Sequence, residues 1–148
     1  LTTPISQLMP RKPVLIDICD TVEDAVHAMN VGHTGCVLVQ EDGRLVGIFT
    51  ERDVITKVFG RDDCHTVGIA EVMTKDPESL EQKDEMAFAL NRMSVGGFRH
   101  IPIVDHGKPV GVLSVRDIVN YLADQNAAGV VNLPPTSDSV IVKRVEGA

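Results

Sequence analysis

The sequence predicts a mixed α/β (α+β) fold, two β-α-β-β-α repeats packed about an internal pseudo-two-fold axis. Three observations predict it. A shift of 64 residues lays the chain on itself without a gap, carrying Met9 to Met73, Pro13 to Pro77, Met29 to Met93, Gly47 to Gly111 and Asp53 to Asp117. Such a repeat marks a duplicated structural unit. Within each copy, helical and strand periodicities follow in the same order. Finally, a unit of roughly 60 residues buries little apolar surface alone, so the copies are expected to pack sheet to sheet with helices outside.

The elements of the first copy follow in order. A short strand is expected near Val14–Ile16. Asp20-Thr21 read as a helix start, and Val22, Ala25, Val26 and Met29 form one apolar helix face that Gly32 is placed to end. Cys36–Val39 read as a strand, Glu41-Asp42-Gly43 as a hairpin turn, and Leu45–Phe49 as the return strand. Thr50 opens a second helix carrying Val54, Ile55 and Val58. The second copy repeats this. Ser79–Leu80 make the short strand, Met86, Ala89, Leu90 and Met93 the helix face, and Gly96-Gly97 its end. Ile101–Val104 and Val110–Leu113 flank the turn Asp105-His106-Gly107, and Ser114 opens a helix with Ile118, Val119 and Leu122. The repeats are assigned to residues 4–62 and 66–124, joined by the short polar linker Arg61–His65. The tail, residues 125–148, holds Pro134-Pro135 and the alternation Val140-Ile141-Val142; linker, edge strand and partner-binding arm all stay open.

Composition bounds the function. Apolar residues make up 43% of the 148 and aromatics only 3%, so the core is aliphatic. A net charge of −7 argues against general nucleic-acid binding, which needs a basic face. No apolar run reaches the roughly 18 residues of a membrane span, and no secretory signal is visible. Three cysteines without a CxxC pair fit a reduced, cytoplasmic setting. The start at Leu1 is expected of a piece of a longer protein.

The polar signal Gly-x-x-(Thr/Ser)-x-Arg-Asp occurs in both copies, at 47–53 and 111–117. Helix capping accounts for Thr50 with Asp53 and for Ser114 with Asp117. It does not account for Arg52 and Arg116, cations at the positive end of a helix dipole. An anionic ligand resolves that conflict, its phosphate held by hydroxyl, guanidinium and helix N–H groups and its ribose by the carboxylate. A second constellation is Arg99-His100-Ile101-Pro102, two basic residues before a strand that Pro102 either interrupts or confines to an edge. Its first-copy counterpart, Gly35-Cys36-Val37-Leu38, lacks both features, so the two pockets should differ. His33, Cys36, Cys64 and His65 show no paired metal-ligand spacing, and nothing supplies a catalytic constellation; no metal and no catalytic residue is expected. Glu78, Glu81, Asp84 and Glu85 read as solvated faces and helix-start charges.

These motifs together make the chain resemble a tandem pair of CBS domains, the Bateman module. Met9 and Pro13, Met73-Thr74 and Pro77 lead the repeats; Arg-His-Ile-Pro-Ile-Val-Asp at 99–105 and the two Arg-Asp motifs complete the set. The similarity runs from Pro4 to Ala123. It implies a regulatory, non-catalytic module that binds AMP, ADP, ATP or another adenosine derivative between the repeats and needs no cofactor. Carried over by position, Asp53 and Asp117 would bind ribose, and Thr50 and Ser114 ribose or phosphate. Cys36–Leu38 and His100–Pro102 would line the base pockets, with Arg99-His100 also able to reach the phosphate in the opposite cleft. Thr74 would close the second pocket. Pro10 stands in its place in the first copy, so the cleft around Ser114 and Asp117 is favoured. The resemblance also implies a homodimer, through residues such as Val58, Phe59, Tyr121 and Leu122, and an attached or partner effector domain. Two alternatives stay open, a ligand-free dimerisation scaffold and the regulatory fragment of a larger nucleotide-metabolism enzyme.

Overall fold

The structure, a computed structural model, describes residues 2–130, with side chains through Gln125. Thr21 caps the first helix, α1 (Val22–Gly32), by a reciprocal pair of bonds: the Asp24 N–H donates to Thr21 Oγ1 at 3.2 Å and the Thr21 N–H donates to Asp24 Oδ2 at 3.0 Å. Its end differs from the expectation. His33, not Gly32, takes the left-handed cap at φ 50°. Gly32 serves proximity instead, since a Cβ there would lie 2.7 Å from Val14 Cγ2.

Strand β1 (Leu15–Asp17) runs parallel to β2 (Cys36–Glu41), which pairs antiparallel with β3 (Arg44–Thr50). The second copy builds α4 (Met86–Gly96) and the antiparallel pair β5 (His100–Asp105) and β6 (Lys108–Ser114). Duplication extends to detail. The register shifts between Val39 and Gln40 and again between Ile103 and Val104. Both hairpins turn through left-handed pairs, Asp42-Gly43 and His106-Gly107. Buried Val22, Ala25 and Met29 of α1 correspond one for one to buried Met86, Ala89 and Met93 of α4.

The two copies lend each other their leading segments. Short helix α3 (Ile69–Val72) and strand β4 (Thr74–Lys75) lead the second copy in sequence but sit on the first. β4 pairs with β3, making a four-stranded sheet in the order β1-β2-β3-β4. The Val22 N–H donates to the Val67 carbonyl, and the Ile69 N–H to that of Asp20. In return the N-terminal segment serves the second copy: the Met86 N–H donates to Thr3 and the Ile5 N–H to Asp84. Arg11 bridges to Val112 of β6. That bridge falls one residue past Pro10, which has no N–H to give. Ile5 and Ile69 are both completely buried by the exchange.

After β3 the chain turns helical as expected, but α2 (Glu51–Asp53) passes at once into a π-helical turn, Val54–Val58. The Thr56 hydroxyl donates to the Arg52 carbonyl at 2.9 Å, competing for an acceptor of the ordinary ladder. Residues up to Ile118 form one compact unit. Helix α5 (Val115–Val130) continues past Gln125, where the tail was expected to begin. The rest of that tail lies outside the described residues.

Candidate functional site

A cleft of about 570 Å³ opens where β3 and α2 of the first copy face the loop before β5 of the second. That volume falls within the roughly 300–1,000 Å³ of small-molecule sites. Each wall follows from the fold. β3 contributes Ile48 and Thr50, α2 contributes Glu51, Arg52 and Asp53, and Thr74 arrives because β4 pairs with β3. Gly97, Phe98, Arg99, His100 and Pro102 come from the second copy. The remaining lining is Gly35 and Asp76–Glu78.

Asp53 is 8% exposed, the one buried charged side chain among the described residues. Its Oδ2 accepts from the Thr50 N–H at 3.0 Å and from Thr50 Oγ1 at 3.3 Å. Its Oδ1 lies 3.4 Å from Lys57 Nζ, which also donates to the Val72 carbonyl. The carboxylate is thus held in place by the capping interaction and one cation. The expected cap is present, and the same carboxylate lines the cleft.

His100, half-buried at the start of β5, feels the charge of carboxylates from both copies. Burial pushes its pKa below the ordinary histidine value; Asp117 and Glu51 pull the other way, while Arg11 and Arg99 add to the lowering. Near neutral pH the ring is therefore uncharged. Glu78, read from sequence as solvated, lines the cleft and pairs with Arg92 of α4, whose Nε donates to Glu78 Oε2 at 3.1 Å. The guanidinium also lies 5.8 Å from the Phe88 ring.

Of the residues singled out from sequence, the cleft gathers Thr50, Arg52, Asp53, Thr74, Arg99, His100 and Pro102. It does not include Cys36, Val37 or Leu38, which are buried in β2. Backbone groups there are already engaged: the Leu38 N–H donates to Val14, and Thr34 Oγ1 accepts from the Cys36 N–H. Burial pushes the Cys36 thiol up to about 12, with Asp53 adding to the shift. Ile101, buried within β5, also stands outside the cleft. Ser114, Arg116 and Asp117 do not line it either; Ser114 and Asp117 form their own capping pair, at 2.9 and 3.1 Å. Thr74 was expected beside them. Strand exchange pairs it with Ile48 in the cleft that Thr50 and Asp53 also line, and sends the Pro10-Arg11 segment to β6. The missed lining residues include Glu51 and Gly35. The available signal was the repeat itself, which pairs Glu51 with Val115 and Gly35 with Arg99.

Among the described residues, no three His, Cys, Asp or Glu side chains converge as a metal would require. Likewise, none of the described helices is long and apolar enough to cross a membrane.

A duplicated unit with exchanged leaders and an inter-repeat cleft defines a class, paired-repeat modules of the Bateman type. The CBS domain family profile matches twice, over residues 5–60 and 69–124, and the chain belongs to that family as a tandem pair. An uncharacterized 17.7 kDa protein of Acidianus ambivalens is 33% identical over 126 residues, 84% of this chain and 76% of that protein. The CBS domain-containing protein CBSCBSPB2 of Arabidopsis thaliana is 31% identical over 114 residues; the chain spans only 21% of its length. Among solved structures, the CBS domain protein PAE2072 of Pyrobaculum aerophilum, determined in complex with AMP, superposes with a TM-score of 0.72 at 25% identity, covering 82% of this chain and 99% of that one.

Proposed function

We propose that this chain is a regulatory, ligand-sensing module that binds an adenosine nucleotide in the cleft between its two repeats. The observation that carries the reading is the convergence of Asp53, Thr50, Arg52 and Arg99 on one pocket with apolar surface from Ile48 and Pro102. A fixed carboxylate suits a ribose diol, guanidinium groups suit phosphate, and the apolar wall suits a base. The AMP complex of PAE2072 supports the same ligand class. Occupancy would bias how the repeats pack, and the bias would pass to an attached domain or partner. That requires different affinities for the two arrangements.

The reading includes a homodimer. Ile55 and Phe59 support it, being 71% and 86% exposed on and just after the helical segment that follows β3. Val58, named with Phe59 from sequence, is a core residue at 4% exposure and is not available for that contact.

Thermal unfolding with AMP, ADP, ATP, NAD and S-adenosylmethionine tests the reading. A ligand at about 100 times its dissociation constant should add roughly 2.7 kcal/mol. Arg99→Ala, at an exposed position, should fold normally and lose most of the shift. Failure of all five compounds to raise the midpoint would leave the dimerisation scaffold as the better account.

A further inference from the structure

Glu51 and Gly35 form one corner of the cleft, and the duplication supplies a second version of that corner. The Glu51 N–H donates to the Gly35 carbonyl at 2.9 Å; the Val115 N–H donates to the Arg99 carbonyl at 3.0 Å. The two backbones make the same contact with opposite chemistry, an acid over a glycine in one copy and a valine beside an arginine in the other. The fold therefore needs neither the acid nor the glycine. Gly35 is not in the left-handed region, so its backbone does not call for glycine. What it provides is a seat. A Cβ at residue 35 would lie 2.9 Å from Glu51 Cδ and 3.0 Å from Oε1.

The charges around the cleft give this corner its weight. Lining acids are Glu51, Asp53, Asp76 and Glu78; lining cations are Arg52 and Arg99, with His100 uncharged near neutral pH. Lys57 answers Asp53 and Arg92 answers Glu78 from outside the lining. Among the described residues, Glu51 and Asp76 have no cation within ion-pair distance. They balance Arg52 and Arg99, so the cleft holds no surplus positive charge, and the repulsion from its carboxylates grows with each phosphate added.

We infer that Glu51, seated on Gly35, is the residue that limits the anionic charge this cleft accepts, favouring an adenosine monophosphate over its di- and triphosphate. The inference rests on the adenosine-nucleotide reading of the cleft. Glu51 acts by proximity to the phosphates, and its loss relieves repulsion that grows with their number.

Isothermal titration of AMP, ADP and ATP into the protein in EDTA-containing buffer tests this, with Glu51→Gln and Gly35→Ala beside the wild type. The wild type should bind AMP most tightly. Glu51→Gln should raise ATP affinity relative to AMP by about fivefold, the effect of one unit charge some 4 Å away in water. Gly35→Ala, which displaces the carboxylate, should move the ratio the same way. An AMP-to-ATP ratio unchanged by Glu51→Gln, or a wild type that binds ATP more tightly, overturns the role of Glu51 and leaves the nucleotide reading standing. If none of the three binds, the nucleotide reading fails and takes this inference with it.

Discussion

At His100, burial outweighs the pull of Asp117 and Glu51, and the consequence is a pH dependence with a defined sign. Because the folded value is depressed, the contribution to stability is present above the ordinary value of about 6.5 and is lost as pH falls through the lowered folded value. Urea midpoints should therefore decrease between pH 7.5 and 5.5, and His100→Gln should flatten part of that slope. A phosphate beside the ring would favour its charged form. Nucleotide binding near pH 6 should then take up a proton, read as a calorimetric heat that varies with buffer ionisation. Asp53 yields a different expectation. Asp53→Ala removes the acceptor for the Thr50 N–H and the partner of Lys57, costing about 1–2 kcal/mol in urea denaturation of the ligand-free protein, and more when nucleotide is present because its stabilisation is lost as well. Cys36, with its thiol pushed up to about 12, should resist alkylation at pH 8 until the chain unfolds, as followed by mass spectrometry.

Among the elements, α3 shows how little length has to do with importance. It has four residues, too few to be stable alone, yet Ile69 is fully buried and its N–H reaches the Asp20 carbonyl. Ile69→Ala should cost about 2–5 kcal/mol, comparable to a change in the central strands. Thr21→Ala, by contrast, removes one capping pair from α1 and should cost about 1 kcal/mol. Elements with strong side-chain periodicity were legible in the sequence: α1, α4 and both hairpins stand where Val22-Ala25-Met29, Met86-Ala89-Met93 and the Asp-Gly and His-Gly turns put them. Strand β4 was not. It is two residues long and joins β3 through backbone pairing, which leaves no periodic side-chain signature. Missing it grouped Thr74 with Ser114 and Asp117, where the structure groups it with β3. Thr50, Arg52, Asp53, Thr74, Arg99 and His100 were singled out in the sequence and line the cleft, while Glu51, Asp76 and Glu78 were not among the site residues read there; the grouping depended on a pairing that only the folded chain displays.

On the scale of the whole molecule, the duplication makes the two repeats one folding problem. Each lends the other a buried isoleucine, Ile5 or Ile69, and backbone partners for the first turn of its helix. Residues 1–64 expressed alone should therefore lack the protease resistance and cooperative urea transition of the entire chain, because β3 and α1 would lose their neighbours from residues 67–75. Independent, cooperative folding of that fragment would contradict the interdependence described here.

The exchanged leaders have a further consequence for assembly. What binds one repeat to the other is reciprocal, and the linker around Arg61–His65 only joins them. Fragments 1–62 and 66–130, mixed after separate denaturation, should find each other and reconstitute the native transition, in the manner of a complementing pair. A chain containing a single repeat would offer the same unfilled seat and the same loose leader, and two such chains would satisfy each other by domain swapping. The covalent tandem is then an internalised dimer. Its linker replaces a concentration-dependent association with an intramolecular one, which frees the two copies of the cleft corner to diverge, glycine and glutamate in one, arginine and valine in the other.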